Sequence, residues 1–337
     1  MKYLILIFCV TIYSCNNAQQ QKNNTVYKTT GTVEKLQPEL DAIIAEDATG
    51  EIISEGYKWS EGPLWVESEK MLLFSDVPQN TVFKWTEKNG TEIYLQPSGY
   101  TGTEPSKSKE PGSNGLLLSP DNALVLCQHG NRSMSAMIAP LHSPKANFIT
   151  LANEFNGKRF SSPNDAAYNN KGELYFTDPP YGLPTQSDTD SLKEIAFNGV
   201  YKIKQNGEVV LLVDSITRPN GIAFFPDYKQ LIVASSDNKN PNWYIYNVEN
   251  DALTNGRIFY PEISNTTDKP GLPDGLKINK QGIVFATGPG GIWIFNRQAK
   301  LLGKIKLSAP ASNLALSADE KVLYITNNNQ ILRVALK

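Results

Sequence analysis

Short runs of alternating apolar and polar residues, separated by turn-forming clusters, recur along almost the whole chain. The segments 60–76, 113–129, 163–179, 219–235, 273–289 and 312–328 share one plan: a polar residue, most often followed by Gly, an aliphatic stretch, a Pro/Asp/Asn/Lys turn, and a second β-forming stretch such as "QLIVAS" or "VLYITN". A period of two with β-branched and aromatic enrichment predicts strands, and the turn clusters predict their ends. The polar residues that open the units are Glu61, Asn114, Asn164, Asn220, Asp274 and Asn313, spaced by 53, 50, 56, 54 and 39 positions. Further alternating segments at 81–86, 199–204, 242–248, 290–296 and 330–336 supply a third strand per unit, and 92–96, 148–152, 209–213 and 301–307 a fourth. A helical pattern is confined to 38–46.

Six units of about fifty residues, five of them with a third strand segment and four with a fourth, predict an all-β chain folded as a six-bladed β-propeller with four-stranded blades. Equivalent positions of successive blades then stand in a ring around the central channel. Glu61, Asn164, Asn220 and Asp274 are expected at one channel mouth, and the recurring Asn-Gly and Asp-Gly pairs read as turn signals. Two carboxylates and two carboxamides are hard oxygen donors suited to Ca2+ or Mg2+. Zinc is less favoured, because the chain has two histidines, His129 and His142, and no His/Cys ligand spacing; borderline metals remain substitutes. Two connections, 97–113 and 181–196, exceed the usual loop length and are expected to form a partial lid over that mouth.

Composition narrows the classes. The 337 residues carry 32 basic and 34 acidic side chains without a basic block, so nucleic acid is not an expected partner. "MKYLILIFCVTIYS" has the short apolar core of a signal peptide, and "IYSC" resembles a lipobox with Cys15 as the residue acylated after cleavage. The alternative is an ordinary secretory signal cut near Ala18. The expected layout is a signal over 1–14, a flexible tether over 15–32 and a single propeller domain over 33–337. Such a chain would be an exported lipoprotein of the bacterial cell envelope, anchored through Cys15 and facing the periplasm, with no other membrane attachment. With Cys9 in the signal and Cys15 lipidated, Cys127 is left without an intramolecular disulfide partner. No Gly-x-Ser-x-Gly elbow, phosphate-binding loop or dinucleotide fingerprint is present, and "DTDS" at 188–191 lacks the glycine and final glutamate of a helix-loop-helix calcium site.

The ordered set "EGPLW", "SNGLLLSPD", "CQHGNR", "KRFSSPND", "YFTDPPYGL", "PNGIAF" and "PDGL" resembles the senescence-marker-protein/gluconolactonase family, which includes regucalcin, across 50–337. The resemblance implies a six-bladed propeller holding one divalent cation, Ca2+ first with Mg2+, Mn2+ or Zn2+ as alternatives, on Glu61, Asn220 and Asp274. Asn164 matches an asparagine near metal and substrate, and Asp274 matches the family's acid/base aspartate. Regucalcin-type members carry an arginine two residues before that asparagine; here the position is Ser162 and the nearest arginine is Arg159. "CQHGNR" and "TDPPYG" fit the bacterial gluconolactonase-like branch, which adds His129, Arg132, Asp178 and Tyr181 to Asn164 and Arg159 as substrate-binding candidates. Asn114 and Asn313 carry no transferable role and read as structural. The expected reaction is hydrolysis of a sugar lactone to the aldonic acid, with Asp274 steering or deprotonating water and Asn164 holding the developing oxyanion. Two rival readings are esterase or phosphotriesterase chemistry on the same site, and a cell-envelope binding propeller that turns nothing over.

Overall fold

The computed structural model describes residues 26–261, 263 and 269–337. The expected signal peptide, Cys15 and the tether up to residue 25 lie outside the described residues. Six four- or five-stranded antiparallel sheets follow one another along the chain, beside a two-stranded ribbon of Glu154–Phe155 and Lys158–Arg159, and the four-stranded core of each begins with its innermost strand. Blade one comprises Ser60–Val66, Met71–Asp76, Thr81–Thr86 and Gly90–Leu95. Blade two comprises Ser113–Leu118, Leu124–Gln128, Ser133–Met137 and Phe148–Ala152, and blade three Ala166–Tyr168, Leu174–Asp178, Gly199–Ile203 and Val209–Val213. Blade four contains Pro219–Phe224, Gln230–Ser235, Asn242–Glu249 and Ala252–Ile258, and blade five Leu276–Ile278, Val284–Gly288, Gly291–Phe295 and Leu301–Lys306.

Blade six has three strands of its own, Ala311–Leu316, Val322–Asn327 and Gln330–Ala335, and takes its fourth, Gly50–Glu55, from the other end of the chain. This closure was not among the expected strands, because "GEIISE" lies ahead of the first repeat unit and has no repeat partner of its own. Residues 29–35, across the expected border of tether and domain, also form edge strands: Thr29–Thr30 pairs with Gly50–Glu51, and Thr32–Lys35 with 303–306 on blade five. The helical pattern at 38–46 becomes one 3-10 helix, Pro38–Ala42, whose Leu40 is buried against blade five.

Apolar side chains fill the spaces between neighbouring blades. Cys127, Phe160, Phe176 and Tyr201 pack between blades two and three, and Trp243, Trp293 and Phe295 between blades four and five. Burying each such side chain contributes about 1.5–3 kcal/mol, so the inter-blade seams hold the ring together.

The glycines after the ring residues do not serve as hairpin turns, contrary to expectation. Gly62 and Gly221 lie inside the first strands of their blades, and a Cβ on them would meet Asn114 O at 2.0 Å and Asp274 O at 2.2 Å, the backbone of the next blade. The dipeptide recurs because two inner strands approach at that height with no room for a side chain.

Candidate active site at the channel mouth

That close approach fixes the ring. The backbone carbonyls of four ring residues are held by the blade before them: Asn114 O accepts from Ser75 Oγ at 2.9 Å, Asn164 O from Gly115 N at 2.8 Å, Asn220 O from Thr177 Oγ1 at 2.8 Å and Asp274 O from Gly221 N at 3.1 Å. With the carbonyls committed outward, the side chains of Glu61, Asn114, Asn164, Asn220 and Asp274 line one cavity of about 330 Å3 at the channel mouth. Trp59, Glu110, Tyr181, Ser236 and Leu272 complete its walls.

The ring is under electrostatic tension. Burial pushes Glu61 up to about 8, helped by the charges of Asp165 and Glu110 and opposed by hydrogen bonds from Gly62 and Trp59. Asp274 is pushed well above the carboxylate range by burial, then by Glu61, Asp165 and Glu110, against a hydrogen bond from Asn220. Outside the cavity walls, Lys277 Nζ lies 3.8 Å from Asp165 Oδ2. Three side-chain oxygens of the cavity, Asn114 Oδ1, Asn164 Oδ1 and Asp274 Oδ1, are buried and have no hydrogen-bond partner. Unpaired buried acceptors are costly, by about 1–3 kcal/mol each, unless something is bound to them. All-oxygen donors, two of them carboxylates, fit a hard divalent cation. Among the described residues no three His, Cys, Asp or Glu side chains group as a metal-ligand set, so a cation here depends on the carboxamides.

The predicted residues fall into two groups. Glu61, Asn164, Asn220, Asp274 and Tyr181 share the cavity. His129 is fully buried behind it, with Nε2 3.5 Å from Asn164 Nδ2 and Nδ1 3.5 Å from Glu110 Oε2. Because Asn164 turns its amide nitrogen to His129, it offers the cavity its carbonyl oxygen, an acceptor, where an oxyanion donor was expected. Arg132, Arg159 and Asp178 stand outside the cavity walls. Arg132 donates through Nε to Phe160 O at 2.6 Å, and Arg159 through Nη2 to Asn131 O at 2.7 Å. Asp178 is fully buried and accepts from the N–H groups of Ser161 and Ser162 at 2.9 and 2.6 Å, which braces the segment leading to Asn164. Asn313 Nδ2 donates to Asp165 Oδ2 at 3.2 Å.

Sequence reasoning missed Asn114, set aside as structural although it holds the same repeat position as Glu61, and Glu110, which no periodicity marks because it lies in the loop 97–113. Both long loops reach the same mouth: Glu110 and Tyr181 line the cavity, and Gln186 Nε2 donates to Glu110 Oε1 at 3.0 Å.

A six-bladed propeller whose mouth presents buried carboxylates and unpartnered carboxamide oxygens defines a class of propellers with an oxygen-lined centre. Within it, residues 59–329 match the model of the SMP-30/gluconolactonase/LRE-like region, and the chain belongs to that family. It is 37% identical to a gluconolactonase of Zymomonas mobilis subsp. mobilis over 95% of this chain and 90% of that one. Among solved structures, a gluconolactonase of Xanthomonas campestris superposes with a TM-score of 0.79 at 26% identity, covering 92% of this chain and 98% of the other. A calcium-binding regucalcin of Agrobacterium tumefaciens shares the fold with a TM-score of 0.65 at 13% identity, covering 86% of this chain and 94% of the other.

Proposed function

We propose that the protein is a divalent-cation-dependent sugar lactonase of the gluconolactonase type. The observation that carries this reading is the set of unpartnered oxygens of Asn114, Asn164 and Asp274 beside the Glu61 carboxylate in one cavity. The names of the Zymomonas and Xanthomonas relatives support the reaction, and the calcium-binding relative supports Ca2+ as the ion. Glu61, Asn220 and Asp274 would hold the cation. When bound, it supplies Lewis acidity at the lactone carbonyl.

The chain's own groups then do the rest. Asp274, ionised in a loaded site, accepts the proton of the water whose oxygen attacks C1 of the lactone. The bond from C1 to the ring oxygen breaks, and that oxygen takes the proton back from Asp274 to leave the open aldonic acid and the ionised carboxylate. Asn164 Oδ1 accepts a hydrogen bond from the water or a sugar hydroxyl, and His129 behind it fixes the orientation of the amide. Trp59 and Tyr181 provide flat walls for the sugar ring. Export and anchoring through an acylated Cys15, with the domain facing the periplasm, belong to the same proposal and rest on "IYSC" after the apolar run.

The test is hydrolysis of glucono-1,5-lactone by Glu61→Gln and Asp274→Asn, alongside thermal melts to show that each variant folds. Each is expected to lose about 100-fold or more in kcat. Wild-type turnover by a folded Asp274→Asn variant would sink the assignment.

A further inference from the structure

The ring cavity does not end at Tyr181. A second chamber of about 500 Å3 shares Tyr181, Ser236 and Leu272 with it, and Tyr181 Oη donates to Ser236 O at 3.4 Å along the common wall. The ring cavity, about 330 Å3, is at the lower end of the range usual for small-molecule sites, roughly 300–1,000 Å3, while the two chambers together lie well inside it.

The chemistry of the second chamber differs from that of the first. Its walls include Asp188, Thr217, Arg218, Asp237, Asn238 and Lys239. Arg218 Nη1 donates to Asp188 Oδ2 at 2.5 Å and to Thr217 O at 2.7 Å. Asp237 accepts from Thr217 Oγ1 at 2.6 Å and from Lys239 N at 2.9 Å. Among the described residues the Lys239 ammonium and the Asn238 side-chain amide make no side-chain hydrogen bond or close ion pair, although the Lys239 charge, after that of Arg218, helps to lower Asp237. Two carboxylates therefore face two cations, and the chamber is close to neutral while rich in both donors and acceptors. A dianionic group would meet Asp188 and Asp237; a polyhydroxyl ligand can use both kinds of partner. The loop 181–196 brings Tyr181 to the wall between the chambers and Asp188 to the far side, so this loop shapes the outer chamber.

We propose that the outer chamber is a subsite for a second sugar ring, so that the preferred substrate is a glycosylated aldonolactone, the lactone of an oxidised disaccharide, in place of a free hexonolactone. The inference rests on the lactonase reading for the inner cavity. The inner ring places the lactone carbonyl over Glu61, Asn164, Asn220 and Asp274. The glycosyl unit passes Tyr181 and places its hydroxyls among Arg218, Asp237, Asn238 and Lys239.

The test uses binding as well as turnover, so that the two ideas fail separately. Calorimetric titration with glucono-1,5-lactam and with its β-1,4-glucosyl derivative reads the subsite without requiring hydrolysis. The glucosyl lactam is expected to bind about tenfold more tightly, the gain from one or two additional hydrogen bonds. Asn238 and Lys239 are exposed loop residues, so the double variant Asn238→Ala/Lys239→Ala should fold normally. It is expected to bind the two lactams equally and to keep wild-type kcat/KM on glucono-1,5-lactone, while losing the matching preference for cellobiono-1,5-lactone. Equal affinity of the wild-type protein for the two lactams, failure to bind either, or a preference that survives the double variant would overturn the subsite. So would tighter binding of a 6-phosphorylated lactam than of the glucosyl one, which would assign the chamber to an anion. Failure to hydrolyse any lactone, with the lactam preference intact, would count against the lactonase reading alone.

Discussion

Gly221→Ala tests whether the glycines of the repeat hold the site together through the close approach of neighbouring blades. A Cβ at this position would lie 2.2 Å from Asp274 O and 2.8 Å from Gly275 Cα, where ordinary contact begins at 3.4 Å. Blades four and five must therefore part locally by about 1 Å, an overpacking cost of about 1–3 kcal/mol. The hydrogen bond from Gly221 N to Asp274 O, 3.1 Å long, is stretched by the same movement, which adds about 0.5–1.5 kcal/mol. A loss of about 1.5–4.5 kcal/mol should appear in urea denaturation as a lower midpoint with unchanged slope. Because the displaced atom belongs to Asp274, lactone hydrolysis should fall by up to about 100-fold, the scale expected for a 1 Å misplacement in a site. Gly90→Ala is the control. Gly90 has φ +67° and no atom within 4 Å of the added Cβ, so this variant should lose only about 1 kcal/mol of backbone strain energy and keep full activity. Wild-type stability and activity in Gly221→Ala would refute the account of the ring.

Two further outcomes follow from buried and terminal groups. Asp178 is pushed up to about 6 by burial, against the hydrogen bonds from Ser161 and Ser162. Its folded value is therefore above its unfolded one, so its contribution to stability is largest below about pH 4 and is lost as pH rises to about 6. Subtracting the stability of Asp178→Asn from that of wild type across pH 4–7 should reveal that slope; a flat difference would show that Asp178 ionises normally. Cys15→Ser is expected to move the protein from membrane to soluble fractions of a bacterial host, and unchanged membrane attachment would exclude the acyl anchor.

Much of this was legible from the spacing of Glu61, Asn114, Asn164, Asn220 and Asp274, because rotation about a propeller axis converts an even repeat into a ring. The same regularity hid what does not repeat. Gly50–Glu55 closes blade six from the far end of the chain, and no local pattern announces a pairing across 275 or more residues with Gln330–Ala335. Glu110 reaches the cavity from a loop, where neither period nor turn chemistry specifies direction. Asn-Gly favours turns as a dipeptide, whereas here the glycine answers to a neighbouring blade that only the folded ring brings near. Arg132, Arg159 and Asp178 adjoin site residues in sequence, but backbone partners hold them outside the cavity walls.

The most direct measurement is metal content and glucono-1,5-lactone hydrolysis on the purified protein, before chelation, after it, and after return of Ca2+. The account predicts one divalent ion per chain, loss of turnover on chelation and its recovery with Ca2+, and neither ion nor turnover in Asp274→Asn. Full lactonase activity in protein stripped of divalent ions would contradict it.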